Sequence, residues 1–96
     1  MAELLNDERI DEALVNLSDW QRKGDALERT AQLADFPQAI QVVNRVAEIA
    51  ESENHHPDID IRWRNLTFRL STHSDGGITQ KDVTLAGEID EVINSV

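Results

Sequence analysis

Apolar side chains recur at helical spacing in three segments of the chain. The first predicted helix runs to about Leu17, with Asn6 or Asp7 as its N-cap. The second is predicted over residues 35–52 and carries a proline in its first turn, where a missing N–H costs little. The expected apolar stripes are Ile10, Leu14 and Leu17 in the first helix, and Phe36, Ile40, Val43, Val46, Ala47 and Ala50 in the second.

A third helix is predicted after Thr79. The hydroxyl of Thr79 and the carboxyl of Asp82, three residues later, form the pattern of a capping box. This pattern fixes the expected start of the helix, and the apolar residues that follow it give the buried side. Those residues are Val83, Leu85, Ala86, Ile89, Val92 and Ile93.

The pattern changes to strict alternation after Pro57, which is typical of strands with one buried face. We expect an antiparallel hairpin with its turn at residues 64–65, because this places all the apolar residues on one face. In that register Ile61 lies opposite Phe68. Arg-Asn is a weak signal for a two-residue turn, so a longer loop, or a register shifted by two residues that keeps the same faces, is the alternative. The alternating apolar residues are Ile59, Ile61, Trp63, Leu66, Phe68 and Leu70, so Trp63 is expected in the core.

Residues 18–23 and 26–33 are predicted to be two short strands joined by a turn at Gly24-Asp25. A helix over the second segment is an alternative, because alanine, leucine, glutamate, arginine and glutamine all favour helix. The predicted order is therefore α-β-β-α-β-β-α. This order indicates an α+β fold in which a four-stranded antiparallel sheet has its helices packed on one face. Residues 1–96 are expected to form one domain.

Composition excludes several classes of partner and of chemistry. The chain has 19 acidic and 9 basic residues and a formal net charge of -10, which argues against nucleic acid or an anionic membrane as the main partner. It has no cysteine, which excludes disulfides, thiolate zinc sites and cysteine nucleophiles. No apolar run approaches the roughly 20 residues of a membrane span, and the first residues do not resemble a secretion signal. We therefore expect a cytoplasmic location.

The three histidines stand where elements meet. His55 and His56 lie between the second helix and the third strand, and His73 follows the fourth strand. The predicted hairpin register, when extended, places His56 directly opposite His73. Opposed residues have Cβ atoms about 4.5–5.5 Å apart, so three imidazoles are expected at one end of the sheet. Each histidine alone would more often be incidental, but a cluster of groups that titrate near neutral pH favours a functional site.

Two carboxylates are expected to support these histidines. Glu51 lies one helical turn before His55 and is expected to orient that imidazole. Asp82 begins the helix that follows the loop after His73, so it can approach the same region. The alternative for Asp82 is a role as a helix cap alone, and the alternative for Glu51 is a solvated surface position.

Two other chemistries fit the residues less well. Histidines with an open water position make catalytic zinc sites, but adjacent residues in an extended backbone point to opposite faces. His55 and His56 are therefore poor joint ligands. A serine hydrolase fits less well still, because Ser71 and Ser74 flank His73 without a nucleophile-elbow motif.

The three histidines and the two carboxylates, together with Pro57 and Trp63, have a spacing that resembles the signature of the pterin-4a-carbinolamine dehydratase family. The resemblance also includes the segments "VAEIAE" and "STHSDGGIT", and it covers about residue 15 to the end of the chain. The segment "ERTAQLADF" departs from the family pattern, since relatives tend to have aromatic residues there. The signature residues are Glu51, His55, His56, Pro57, Trp63, His73 and Asp82, with Trp20, Asp35 and Phe36 before them.

The resemblance implies a lyase that removes water from 4a-hydroxytetrahydropterin and gives quinonoid dihydropterin. This reaction recycles the pterin used by aromatic amino acid hydroxylases. The resemblance implies no metal and no organic cofactor, and it implies assembly as a homodimer or homotetramer. Animal members also serve as a dimerisation cofactor for a homeodomain transcription factor.

The resemblance also implies roles for individual residues. His55 and His56 are expected to exchange protons with the substrate, and His73 is expected to bind and polarise it. Glu51 and Asp82 are expected to orient imidazoles or hold their charge. Pro57 and the backbone around Thr72 and Ser74 are expected to bind the flat heterocycle.

A non-enzymatic module for assembly or partner binding, on the same fold, is the alternative function. Its basis is a small core that is lean in aromatic residues, together with apolar helix faces that copies of the chain can share. The complete set of three histidines favours the enzyme, because a scaffold does not require imidazoles in register.

Overall fold

The computed structural model describes residues 3–96, and the elements follow in the predicted order. The strands form one antiparallel sheet in the order β1-β2-β4-β3. The α+β fold predicted from the sequence is confirmed. The elements are α1 (Asp7–Val15), β1 (Gln21–Lys23), β2 (Ala26–Gln32), α2 (Phe36–Glu53), β3 (Asp58–Arg62), β4 (Asn65–Leu70) and α3 (Gln80–Asn94), with a short 3-10 helix at His73–Asp75 before α3.

The central strand β4 separates a covered face of the sheet from an open face. Its alternate residues Leu66, Phe68 and Leu70 are fully buried, whereas the residues between them are only partly buried. The covered face belongs to the hydrophobic core, which makes the predicted alternation of β4 correct. Helix residues in the same core include Ile10, Ala39, Val42, Val46, Leu85, Ala86, Ile89 and Val92.

The segment "ERTAQLADF" forms most of β2, so the helical alternative for it is wrong. Leu27 and Ala31 of this strand are buried in the core. Between them Arg29 lies on the same face and forms an ion pair with Asp90 of α3. Asp90 also accepts a hydrogen bond of 2.8 Å from the Trp20 indole. A partly buried charge network thus occupies a position where aromatic packing was expected.

The helices begin at the predicted caps, but α2 is rotated from its expected orientation. Asp35 caps α2 by accepting from the Gln38 N–H at 2.8 Å. The buried face of α2 consists of Ala39, Val42, Val46 and Ala50. Phe36 is 46% exposed and Ala47 is also exposed, because the apolar residues of α2 occupy more than one side and only one side meets the sheet. No helix within residues 3–96 is long and apolar enough to cross a membrane.

The register of the β3–β4 hairpin differs from the prediction by two residues. Ile61 lies opposite Leu66, and Ile59 lies opposite Phe68. The turn is at Trp63-Arg64, where the Arg64 carbonyl accepts from the Leu33 N–H at 2.9 Å. This bond holds the turn against the end of β2. A shift of two residues leaves the side chains that remain in the two strands on their predicted faces, so the alternation alone cannot reveal it.

Trp63 is not part of the core, contrary to the prediction. It is 66% exposed and has a left-handed φ of 56° in the turn. The Arg64 guanidinium lies 4.9 Å from the centroid of its ring. A bulky residue rarely adopts this backbone conformation, so the turn carries a conformational cost.

Two carboxyl groups meet where the end of α2 packs against α3. A hydrogen bond with Glu53, partial burial, and the nearby charges of Glu53 and Glu91 raise the pKa of Glu88 from 4.5 to about 7. Two carboxylates cannot hydrogen-bond without a shared proton. The contact between α2 and α3 at this point is therefore sensitive to pH.

Replacing Glu88 with glutamine tests this contact. The raised pKa means that the folded chain retains a proton that the unfolded chain loses, so the stabilisation is complete below about pH 4.5 and is lost as the pH rises through about 7. Glutamine does not titrate. Between about pH 5 and about pH 8, the native chain should lose about 1 kcal/mol more of its free energy of unfolding than Glu88→Gln does, after allowance for solvent screening.

Urea denaturation at the two pH values measures this difference. The matched control is Glu12→Gln, at an exposed position of α1, which should show no pH-dependent difference from the native chain. If Glu88→Gln follows the native chain at both pH values, the shared proton is excluded.

Candidate active site

A fully buried carboxylate organises the candidate site. Asp82 is the third residue of α3, and none of its surface is exposed. Its Oδ1 lies 2.6 Å from Nε2 of His55. Its Oδ2 accepts from the Thr72 hydroxyl at 2.8 Å and from the Thr79 N–H at 2.9 Å. Asp82 therefore completes the predicted capping box and also contacts a histidine, so the interpretation as a helix cap alone is wrong.

His55 reaches Asp82 because of the way α2 ends. Asn54 adopts the left-handed conformation with φ 50° and terminates the helix. The His55 N–H then donates to the Ala50 carbonyl at 3.0 Å. The ring points into the protein, and the side chain is 9% exposed. Since Asp82 accepts at Nε2, a neutral ring in this arrangement leaves Nδ1 as its proton acceptor.

His56 has a different carboxylate partner. Its side chain is exposed, and its Nε2 lies 2.8 Å from Oε1 of Glu51. Glu51 was expected to orient His55, and that prediction is wrong. Glu51 lies on the exposed side of α2, whereas the His55 ring points inward, so the two side chains are on different sides. Adjacent histidines that point in opposite directions thus have separate carboxylates, one buried and one exposed.

His73 does not lie opposite His56 in the hairpin. The β3–β4 ladder ends at the pair Asp58–Arg69, before either histidine, and its register differs from the predicted one. His73 is instead the exposed first residue of the 3-10 helix, and it directly follows the buried Thr72. His73 is therefore connected to Asp82 only indirectly: it follows Thr72 in the sequence, and the Thr72 hydroxyl binds Asp82. The neighbouring candidates Ser74 and Pro57 are exposed and partly buried, respectively.

The hydroxyl groups of Thr72 and Thr79 are functional candidates that the sequence did not reveal. Thr72 was expected to contribute its backbone, but its N–H donates to the Gly77 carbonyl at 2.8 Å, and its carbonyl accepts from N–H groups of the same loop. Its hydroxyl instead binds Asp82. The available signal was the capping-box pattern of Thr79 and Asp82. If the carboxylate of such a box is buried, it needs hydrogen-bond donors besides the cap N–H, and nearby hydroxyl groups can supply them.

The arrangement is suited to proton transfer. Each of two imidazoles has a carboxylate within hydrogen-bonding distance, and such a partner orients the ring. Within the residues that the structure describes, no three histidine, aspartate or glutamate side chains form a group that could hold a metal ion.

Replacing Asp82 with asparagine tests the central role of this carboxylate. The amide keeps one acceptor oxygen, so either His55 or the pair of donors at Oδ2 must face an NH2 group. The substitution also replaces hydrogen bonds to a buried carboxylate with weaker bonds to a neutral amide, so we expect the free energy of unfolding to fall by about 2 kcal/mol.

Chemical denaturation measures the loss. The matched control is Asp58→Asn at the exposed start of β3, which should change stability by less than about 0.5 kcal/mol. Equal stability of Asp82→Asn and the native chain would contradict the geometry.

The chain matches a family profile and close relatives over most of its length. The profile described as Pterin 4 alpha carbinolamine dehydratase matches residues 3–92. A Nocardia farcinica protein, provisionally named pterin-4-alpha-carbinolamine dehydratase, is 60% identical over 90 residues, which cover 94% of this chain and 95% of the relative. A Roseiflexus castenholzii protein with the same provisional name is 55% identical over 93 residues, which cover 97% and 100%.

Solved structures share the fold. A Brucella melitensis protein described as a transcriptional coactivator/pterin dehydratase matches with a TM-score of 0.92 and 28% identity, over 95% of this chain and 99% of that one. A pterin dehydratase-like protein, described as a RuBisCO assembly factor in the alpha-carboxysome, matches with a TM-score of 0.65 over 80% and 89%. Its identity of 18% indicates the fold alone. The profile match and the relatives of 55–60% identity establish that the chain belongs to the pterin-4-alpha-carbinolamine dehydratase family.

Proposed function

We propose that the chain is a lyase that dehydrates 4a-hydroxytetrahydropterin to quinonoid dihydropterin. The observation that carries this proposal is the pair of imidazole–carboxylate contacts, His55 with Asp82 and His56 with Glu51, on consecutive residues of a chain from this family. In this proposal the enzyme acts in the cytoplasm, takes a small pterin as substrate, and recycles the cofactor of aromatic amino acid hydroxylases.

The reaction requires two proton movements. The bond between C4a and the hydroxyl oxygen breaks, and the oxygen leaves as water after it takes a proton from an acid. A base removes a ring N–H proton, and the electron pair of that bond becomes the new C=N bond. His55 and His56 supply the acid and the base in this proposal, which typically contributes about 10²–10⁴-fold to the rate. Asp82 and Glu51 stabilise the charge that each ring acquires.

The substrate is proposed to lie against the loop that follows β4. His73 and Ser74 are exposed there, whereas the main chain of Thr72 is already paired within the loop. His73 therefore binds and polarises the pterin, with Ser74 and the ring of Pro57 as further contacts. Thr72 contributes through its hydroxyl to Asp82 rather than through direct binding.

Kinetics of single variants test the lyase. We expect the purified chain to accelerate the decay of the carbinolamine, which a hydroxylase generates and ultraviolet absorbance follows. His55→Ala and His56→Ala should each lower kcat/KM about 10²-fold, because each removes one proton-transfer group.

The control for these variants is Arg62→Ala, an exposed residue of β3 outside the proposed site, which should keep native kinetics. Full activity after treatment with a chelator is expected, since no step uses a metal. A native chain that gives no acceleration, or a His56→Ala variant with native kinetics, would refute the lyase and favour the non-enzymatic module.

We also propose that the chain assembles as a homodimer or homotetramer. Strand β3 lies at the edge of the sheet, so within residues 3–96 its outer main-chain groups have no neighbouring strand. Ile61 is 43% exposed on this strand, and Trp63 is 66% exposed in the adjoining turn. An exposed edge strand with apolar side chains favours pairing with another chain.

Light scattering after gel filtration tests the assembly. We expect a native mass of two or four times 10.8 kDa and a lower multiple for Ile61→Lys, because a buried lysine would disfavour the contact. Val15→Lys is the matched control, since Val15 is 76% exposed at the end of α1. A native chain with the mass of a monomer would contradict this assembly.

A further inference from the structure

Two buried threonine hydroxyls connect the loop after β4 to Asp82. Thr72 is 4% exposed and Thr79 is 0% exposed. Their Oγ1 atoms are 2.7 Å apart, and the Thr72 Oγ1 also lies 2.8 Å from Oδ2 of Asp82. Neither hydroxyl faces solvent, so these protein contacts satisfy both groups.

The donors and acceptors of this chain of hydroxyls have one consistent direction. A hydroxyl has a single proton, and a carboxylate can only accept, so Thr72 donates to Asp82. Thr79 must then donate to Thr72. The Thr79 oxygen in turn accepts from the Lys81 N–H at 3.2 Å, which lies in the first turn of α3. The bonds therefore run from the backbone of α3 through two hydroxyls to the carboxylate.

This direction has a consequence for the carboxylate. Oδ2 receives the Thr72 hydroxyl and the Thr79 N–H, so two donors fix its plane. Oδ1 is then left for the Nε2 of His55 at 2.6 Å. The imidazole meets an acceptor at Nε2, which favours the tautomer with its proton on that nitrogen.

We propose that Thr72 and Thr79 are positioning residues whose hydroxyls hold Asp82 so that His55 keeps its Nε2–H tautomer. The tautomer leaves the lone pair of Nδ1 free to exchange a proton with the substrate. The part that concerns catalysis rests on the proposed function. The part that concerns the tautomer does not, because it follows from the contacts of Asp82 alone.

Nitrogen-15 NMR of the imidazoles in the native chain is the first test. The ring shifts of His55 at neutral pH should be those of the Nε2–H tautomer, and a dominant Nδ1–H tautomer would overturn the proposal. This measurement needs no substitution and no substrate. It therefore remains decisive even if the chain has no dehydratase activity.

The second test is Thr72→Val, which removes the hydroxyl and keeps the shape of the side chain. We expect a measurable population of the Nδ1–H tautomer of His55, and a kcat about tenfold lower with KM little changed. Thr72→Ser restores the hydroxyl and should restore both the ring shifts and kcat, which a purely structural role for the methyl group would not do.

The matched control is Thr67→Val on the open face of the sheet. There the hydroxyls of Thr30 and Thr67 lie 2.9 Å apart, so this substitution breaks the same kind of bond away from Asp82. It should leave the His55 shifts and kcat unchanged. If Thr72→Val has native ring shifts, or if Thr67→Val shifts the tautomer equally, the positioning role is wrong.

Discussion

A carboxylate with no access to water must find all its hydrogen-bond donors within the protein, and much of this fold follows from that requirement at Asp82. Its partners come from three places: the end of α2, the loop after β4, and the first turn of α3. These three segments are therefore held to one another by a single side chain. The helix cap and the candidate site are the same structure, so the start of α3 cannot move without displacing His55.

The sequence was sufficient for the elements and for the faces of the sheet. Alternation in β4 and the capping box at Thr79 are local patterns, and local patterns survive folding when one face is buried. The register of the hairpin is different, because a shift of two residues leaves every face unchanged. Trp63 was misplaced for this reason, and the bond between Arg64 and Leu33 that fixes the turn comes from a strand distant in sequence.

The site residues were predictable as a set, but their partners were not. Glu51 was matched to His55 by helical spacing, and that rule stops applying where Asn54 turns left-handed. The asparagine at this position was a local sign of the change, since it tolerates a positive φ. The ion pair between Arg29 and Asp90 is similar, because it joins β2 to α3 and no window of sequence contains both residues. It also shows how this chain fills the covered face of the sheet with few aromatic side chains.

The contact between His55 and Asp82 spans 27 residues of sequence and joins α2 to α3. A partly folded chain in which the two helices have separated has no oriented imidazole at that position, however much of the sheet remains. Loss of the oriented ring and separation of these helices are therefore one event. On heating, the site would lose its activity in the same cooperative transition that melts the helical layer. No intermediate would have separated helices and an active site.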